Sequence, residues 1–281
     1  MATPSVATPT AIALSSQDFP AQYTPPAAAH NANHILIKPN LGYPEPAPVT
    51  VSVGMLATVL QAVRAASPGA QITVLEGVCS KVSLTEIAEI HHIASVLDDG
   101  MTLVDADTVP LAKYENRFPD PVRFEAMTAP ALLREVDCRI SVSAFKRTQL
   151  KGQTLVSASL KNLYGLFPRS HYKARSAHSR GQLHRPSVPQ ILQDVYGCIG
   201  YLFDGGVVDG AIAYLSPDLK PNRKNAAIPC GWSAYGTDLL AVDRAICDAA
   251  QVDCPDYVTA IETKREAAIA QDPTLFSKTL A

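Results

Sequence analysis

The sequence predicts an α/β protein: a mostly parallel sheet flanked by helices, with a basic loop-and-helix subregion. Hydrophobic residues make up 47% of the 281 residues and charged residues 18%, which is typical of a globular chain with a sizeable core. Short apolar runs alternate with segments of helical periodicity, and this alternation favours parallel strand pairing. Lys and Arg are concentrated in one stretch without acids, which sets a basic subregion apart.

The parallel sheet is predicted from the order of elements in the first part of the chain. An apolar spacing of three and four residues indicates an amphipathic helix, and a Ser-x-x-Glu capping box at Ser83 and Glu86 indicates the start of another. The elements in order are a strand at 34–38, a helix at 51–66, a strand at 71–76, a helix from 83 to about 93, and a strand at 101–104. Strands joined in this way pair in parallel through right-handed crossovers.

The later elements are predicted from the same patterns. Residues 106–127 are expected to be irregular because they are rich in proline. We expect a short helix at 130–135, a fourth strand at 138–142, helices at 153–163 and 188–201, weaker strands at 207–215 and 226–232, and helices at 239–250 and 257–270.

One α/β domain is the simplest organisation for this pattern. Residues 1–30 are expected to form a loosely ordered N-terminal segment with a short edge strand at 10–14. Residues 31–255 form the domain, with the basic subregion at 144–190, and residues 256–281 form a C-terminal helix and tail.

Charge is distributed unevenly along the chain. The 56 residues between Asp137 and Asp194 contain no acid but ten of the 24 cations, so the remainder carries 14 cations against 26 acids. Such sorting favours an anion as ligand or partner. Nucleic acid is disfavoured, because the net charge is −2 and no recognition-helix, RNP or zinc-finger pattern is present.

Polar side chains follow four of the predicted strands. In an open α/β sheet, ligands bind beyond the carboxyl ends of the strands. Polar residues also end strands simply because loops are solvated, and the sequence leaves this alternative open. The residues in question are Lys38 and Asn40, Glu76, Asp105, and the segment that ends at Lys146.

The basic subregion has its densest group of polar residues around Lys161 and Asn162, near the end of the helix predicted at 153–163. Lys161 is expected either to complement the helix dipole as a surface residue or to project into a site as an anion clamp. No carboxylate is near it in sequence. Its partner must therefore come from a distant strand end, with Glu76 or Asp105 favoured, or from the ligand itself.

Histidine and cysteine provide no evident metal site. His171, His178 and His184 are not at helical spacing and have no carboxylate near them in sequence, so anion binding beside Arg169 is favoured over a metal. The six cysteines show no C-x-x-C pair, which favours small buried thiols in a reducing cytoplasm. No Lys or Arg precedes Lys38, which disfavours a secretion signal, and no apolar run is long enough to span a membrane.

Six motifs resemble a family of domains of unknown function, and their order and spacing match along roughly residues 33–250. They are ILIKPN at 35–40, LEG at 75–77, ISVSAFK at 140–146, ASLKNLYGLFP at 158–168, FDGGVVDG at 203–210 and GTDLLAVD at 236–243. Longer relatives carry ferredoxin-type iron–sulfur modules. The resemblance implies an α/β fold with these motifs around one cleft, and redox chemistry with an external electron-transfer protein. The layout is also loosely similar to that of lactate racemases.

Two departures from that family matter. Relatives often have Lys-Thr-His after the ISV strand, whereas this chain has Lys146, Arg147 and Thr148 followed by Gln149, so a histidine role is absent there. The C-x-x-C-x-x-C pattern is also missing, so we expect no iron–sulfur cluster in this chain. The cofactor is otherwise left open.

The favoured function is a cytoplasmic enzyme that acts on an anionic small molecule or cofactor in a cleft lined by Lys and Arg. The alternative is a non-catalytic binding or accessory protein that uses the basic region for nucleic acid or an acidic protein. The candidate catalytic residues are Lys161, Glu76 and Asp105. The candidate ligand-binding residues are Lys38, Asn40, Lys146, Asn162, Arg169 and His171.

Overall fold

A computed structural model describes residues 11–150, 153–216 and 227–278. The strands are β1 (Ala11–Ser15), β2 (His34–Pro39), β3 (Gln71–Glu76), β4 (Met101–Asp105), β5 (Leu111–Glu115), β6 (Ala126–Pro130), β7 (Cys138–Leu150), β8 (Gln153–Ser157), β9 (Gly205–Ser216) and β10 (Ala227–Gly236). The helices are α1 (Phe19–Gln22), α2 (Val53–Ala66), α3 (Leu84–Ile90), α4 (Ser159–Asn162), α5 (Arg169–Tyr172), α6 (Val188–Cys198), α7 (Leu239–Ala249) and α8 (Asp256–Gln271).

The main sheet has the strand order β1-β10-β9-β7-β2-β3-β4, and β8 pairs with β7. The pairs β7–β2, β2–β3, β3–β4 and β7–β9 are parallel, whereas β1, β10 and β8 are antiparallel to their neighbours. The predicted α/β class with a mostly parallel sheet is therefore confirmed. The register aligns Lys38 with Ser141 and Glu76 with Asp105, so the polar strand ends share one edge of the sheet.

Helices pack against both faces of the sheet. Alternate side chains of β2 point to opposite faces, so each face presents apolar residues that a helix can cover. Ile35 and Ile37 belong to a buried cluster with the apolar face of α2, while Leu36 belongs to a second cluster that includes residues of α6 and α8. Each cluster holds the carboxyl ends of the parallel strands in a fixed position from its own side. None of the helices in the described ranges combines the length and apolar character needed to cross a membrane.

Two helix starts follow the local sequence closely. Ser52 accepts a hydrogen bond from the Met55 backbone N–H at 3.2 Å and begins α2. At α3, the capping box is present as predicted: Ser83 accepts from the Glu86 N–H, and the Glu86 carboxylate accepts from the Ser83 N–H at 2.9 Å.

The N-terminal part of the chain differs from the expectation of a loosely ordered segment at 1–30. Residues 11–15 form β1, which pairs with β10 along its whole length, and Phe19 and Ala29 are fully buried. Burial of apolar side chains holds this Pro- and Ala-rich stretch in place, although its sequence lacks the apolar periodicity of a helix or a strand. Residues 1–9, expected to be loose, lie outside the described residues, as does Thr10 at the start of the expected strand.

The helix predicted at 153–163 is wrong over its first half. Residues 153–157 form β8, which pairs with β7, and only residues 159–162 form a helical turn. Leu155 and Val156 are both buried but lie in different apolar clusters, so the side-chain period here is two. Strand β7 is correspondingly longer than the predicted 138–142, because a register shift after Ala144 allows it to continue along β9.

The region expected to be irregular contains a small hairpin. Strands β5 and β6 pair antiparallel, and the opposed residues Tyr114 and Met127 are buried in the same cluster as Leu36. The helix expected at 130–135 is a single 3-10 turn at Ala131–Arg134 after β6. Cross-strand packing of the buried side chains stabilises this hairpin despite the surrounding prolines.

Candidate functional site

The carboxyl ends of β2 and β3 carry a buried ion pair. The Lys38 Nζ lies 2.7 Å from Glu76 Oε1, and the two side chains are 1% and 2% exposed. Glu76 also accepts hydrogen bonds from the backbone N–H groups of Leu41 at 2.6 Å and Gly77 at 2.8 Å. These donors stabilise the charged carboxylate, which in turn compensates the buried ammonium.

Asn162 connects this pair to the neighbouring strand. Its side-chain oxygen accepts from Lys38 Nζ at 3.1 Å, and its amide donates to the Lys38 carbonyl at 2.8 Å. The same amide donates to Ser141 Oγ at 3.0 Å. Asn162 therefore fixes Lys38 and holds α4 against the ends of β2 and β7.

Lys146 projects from β7 toward the same edge of the sheet. Its ammonium donates to Asn40 Oδ1 at 2.5 Å and to the Val49 carbonyl at 2.8 Å, and the residue is 7% exposed. No carboxylate of the described chain lies within ion-pair distance of it. Burial lowers the pKa of Lys146 to about 7, and the charge of Lys161 acts in the same direction.

Lys161 is the third lysine of the site, and it has neither an ion pair nor a hydrogen bond within the described part of the chain. Its Nζ lies 5.6 Å from the centroid of the Tyr164 ring, a cation–π contact. Burial lowers its pKa. Glu76, one of the partners expected for Lys161, is already paired with Lys38.

These groups line one cavity of about 200 Å³. Six of the nine predicted site residues lie in its wall: Lys38, Asn40, Glu76, Lys146, Lys161 and Asn162. Because they come from β2, β3, β7 and α4, the strand order brings together residues up to 124 positions apart. The cationic side chains in the cavity wall outnumber the one carboxylate there, that of Glu76, so the wall carries a net positive charge.

The other three predicted residues lie outside the cavity lining. Asp105 ends the edge strand β4 and accepts a hydrogen bond from the Asp107 N–H at 2.9 Å. Arg169 forms an ion pair with Asp107 at 2.5 Å. His171 is exposed on α5 and contacts the Ser170 hydroxyl at 3.2 Å. The edge position of β4 explains why Asp105 does not reach the lysines.

Arg180 is a wall residue that the sequence reasoning did not select. It is 4% exposed and donates to the carbonyls of Val78 and Gly165 at 3.0 Å each, and to the Phe167 carbonyl. It also lies 3.2 Å from Cys79 Sγ. The sequence showed only that Arg180 lies in the acid-free stretch, because its carbonyl partners lie between 13 and 102 residues away along the chain.

Gly165 allows α4 and the following turn to approach the ion pair closely. A Cβ at this position would lie 2.3 Å from Glu76 Oε1 and 2.8 Å from Lys38 Nζ, well inside normal contact distances. The glycine of the LKNLYG motif is therefore required by the packing of this wall.

A buried carboxylate on α7 holds the start of α4. Asp243 is fully buried and accepts from the Ser159 N–H at 2.7 Å, from the Ser159 hydroxyl at 2.6 Å and from the Leu160 N–H at 3.3 Å. Burial raises its pKa to about 7. The GTDLLAVD motif thus supports the helix that carries Lys161 and Asn162.

The histidines of the basic subregion do not converge. Neither these residues nor any other His, Cys, Asp and Glu side chains among the described residues form a group of three that could hold a metal ion. All three histidines are exposed, and of them His184 also lines the cavity. All six cysteines are free thiols, and Cys79 is the one in the cavity wall.

Comparison with known proteins identifies the family. The model of a family described as "Domain of unknown function (DUF362)" matches residues 35–248, about three quarters of the chain. The chain belongs to this family, as its motifs predicted. A comparison with curated protein sequences gives no match.

A solved structure shares the fold. It is the lactate racemase apoprotein from Thermoanaerobacterium thermosaccharolyticum, with a TM-score of 0.50 and 13% sequence identity over 79% of this chain. The match covers 49% of that protein, so the present chain spans about half its length. At this identity the similarity concerns the fold alone.

Proposed function

We propose that this chain is an enzyme that acts on a small anionic molecule bound in the lysine-lined cavity. The observation that carries the proposal is Lys161: it faces the cavity without an ion pair or hydrogen bond from the described chain. A partly buried ammonium without a partner is unfavourable, and an anion in the cavity would supply the missing interaction.

The charge of the cavity wall supports an anion over a cation or a neutral ligand. Lys38, Lys146, Lys161 and Arg180 face one carboxylate, that of Glu76. Because Glu76 pairs with Lys38 and Arg180 lies 3.9 Å from an oxygen of Asp107, the attraction for a ligand comes from Lys146 and Lys161. A volume of about 200 Å³ suits a small molecule and not a polymer.

The contacts suggest separate roles for the polar residues. Glu76 receives three donors, which stabilise its charged form, so we assign it to holding Lys38 and not to accepting a proton. Lys161 would bind the anionic group. Lys146 would provide acid–base chemistry near neutral pH, since its pKa of about 7 suits that task.

The alternative of a nucleic-acid or acidic-protein binder receives less support. Several cations of the acid-free stretch interact within the chain: Arg139 pairs with Asp204 at 3.3 Å, Arg169 pairs with Asp107, and Arg180 is buried. Of the cations in this stretch that the structure describes, Lys173, Arg175 and Arg185 are exposed, and these charges form a small electrostatic footprint for a polymer.

Titration calorimetry tests the proposal. The purified protein is titrated with acetate, pyruvate, sulfate and a short duplex DNA at low and at moderate salt. We expect one saturable site for a small anion with a shallow salt dependence. Tight DNA binding that weakens steeply with salt, without small-anion binding, would instead support the rival function. Mass spectrometry of molecules that co-purify with the protein would identify the natural ligand.

A further inference from the structure

We propose that Lys146 is a nucleophilic amine, and that the anion taken by the cavity is an oxo acid whose carbonyl carbon forms an imine with it. This inference rests on the proposed anion site and adds the substrate class and the reacting atom. Three lysines line the cavity, namely Lys38, Lys146 and Lys161, and their different surroundings indicate different roles.

Lys146 is placed differently from Lys38. Lys38 contacts the Glu76 carboxylate at 2.7 Å, and this contact favours its ammonium form and opposes the lowering of its pKa by burial. Lys146 contacts only neutral oxygens, those of Asn40 and Val49, and it is almost fully buried. Glu76 and Asp209 act on its pKa in the opposite direction, but neither lies at ion-pair distance from it. A buried lysine beside other cations and without a directly paired carboxylate is the arrangement that yields a neutral, nucleophilic amine.

The hydrogen bonds of Lys146 also suit the neutral form. A neutral amine has two N–H bonds and one lone pair. The Asn40 and Val49 oxygens take both N–H bonds, so the lone pair is directed away from them. Since Lys146 lines the cavity, this leaves the lone pair available to a bound ligand. The pKa of about 7 means that a substantial fraction is neutral at physiological pH.

Lys161 differs again and suits the anionic group. No oxygen atom of the described residues accepts a hydrogen bond from it. Its ammonium contacts the Tyr164 ring, and this contact favours the charged form and opposes the lowering of its pKa by burial. Both lysines line the same cavity, and the charge of Lys161 contributes to the lowered pKa of Lys146. A ligand with an anionic group and a carbonyl group can therefore engage both residues.

The reaction balances without an oxidant or a reductant. The Lys146 lone pair attacks the carbonyl carbon, a C–N bond forms, and the carbonyl oxygen takes up a proton to give a carbinolamine. Loss of this oxygen as water gives the imine. Once protonated, the imine draws electrons from the carbon next to the imine carbon. That carbon can then lose a proton or, in a 3-oxo acid such as acetoacetate, its carboxylate as carbon dioxide, and the electron pair left behind forms an enamine.

Reductive trapping tests this step. The full-length chain is incubated with pyruvate or acetoacetate, treated with sodium borohydride, digested and mapped by mass spectrometry. We expect one reduced adduct at Lys146 with the oxo acids and little with acetone, which has the carbonyl but not the charge. Lys161→Met should lower the extent of trapping at least tenfold, and Lys146→Arg should abolish it while the protein still folds. Lys173→Arg, at an exposed cation outside the cavity, should leave trapping unchanged.

The outcomes separate this inference from the proposed function. If small anions bind by calorimetry but the oxo acids give no adduct at Lys146, or give equal labelling of exposed lysines, the imine proposal is overturned and the anion site stands. If no small anion binds to the wild-type chain, the proposed function fails, and this inference fails with it.

Discussion

Lys38 and Glu76 form an ion pair of 2.7 Å between adjacent parallel strands, with both side chains almost completely buried. The pair lies in the cavity wall and is surrounded by polar partners on both sides. Its two members therefore depend on each other, because either one alone would be a buried charge without a counterion.

Breaking this pair should destabilise the fold. Glu76→Gln and Lys38→Met should each lower the free energy of unfolding by about 3–5 kcal/mol, the range for removing one partner of a buried pair. The double variant should cost less than the sum of the two, because it leaves no uncompensated charge. Urea denaturation measures all three.

The exposed pair of Lys113 and Glu115 provides the control, since its side chains are 70% and 65% exposed. Glu115→Gln should change stability little. Additive effects of Glu76→Gln and Lys38→Met would contradict the assigned dependence.

Gly165 should tolerate no side chain. Gly165→Ala places a methyl group against the Glu76 carboxylate and should destabilise the protein by about 1–3 kcal/mol, the usual cost of overpacking. Gly54→Ala in α2 is the matched control, because a Cβ there has nothing within 4 Å and alanine favours the helix by up to about 1 kcal/mol. Thermal denaturation of both variants checks this, and equal melting temperatures would refute the close approach.

Asp243 should stabilise α4 in a pH-dependent manner. Asp243→Ala leaves the Ser159 and Leu160 N–H groups without their acceptor and should cost about 1–3 kcal/mol. The exposed Asp248→Ala on the same helix should have little effect.

The sign of the pH dependence follows from the raised pKa of Asp243, about 7 in the folded chain against 3.8 as its ordinary value. The folded state binds the extra proton between these values, so this contribution to stability is full below the ordinary pKa and is lost as pH rises through 7. The free energy of unfolding of the wild type, relative to that of Asp243→Asn, should therefore fall as pH rises between these limits. A constant difference would contradict the burial of an ionisable carboxylate.

Anion affinity should fall as pH rises through 7. Lys146 is protonated below its pKa of about 7 and neutral above it, so the cavity loses one positive charge over this range. Sulfate is the suitable probe because its own charge is constant there. Its dissociation constant should increase by at most tenfold per pH unit, which is the linkage limit for one proton. Lys146→Arg should flatten the profile, and a wild-type profile that is already flat would show that Lys146 does not titrate near neutrality.

The proximity of Lys38 and Glu76 could be predicted from the sequence, because the carboxyl ends of parallel strands lie at the same edge of the sheet. The same rule placed Asp105 at that edge, and it does end β4 there. The rule does not state that β4 is an edge strand, two strands away from Lys38. Strand order depends on packing across the whole sheet, which no local pattern encodes.

Arg180 and the β8 strand show a second limit. Arg180 reaches its three carbonyl partners through a loop between α5 and α6, and nothing near it in sequence marks those partners. Residues 153–157 become a strand because β7 continues past its predicted end and offers them a partner. For residues 153–157, tertiary pairing therefore overrides local propensity.

The proposed function depends on Lys161 as the residue that binds the anionic ligand, and the Lys161→Met variant tests this role. Calorimetry with sulfate and urea denaturation of the ligand-free protein are measured for the wild type, for Lys161→Met, and for Lys173→Met as an exposed control. Removing Lys161 breaks no ion pair in the described chain and relieves repulsion with Lys146, so ligand-free stability should be unchanged or slightly higher. Sulfate affinity should fall at least tenfold in Lys161→Met and stay at the wild-type value in Lys173→Met. Unaltered sulfate affinity in Lys161→Met, or a loss of about 3–5 kcal/mol in its ligand-free stability, would show instead that Lys161 is a structural residue.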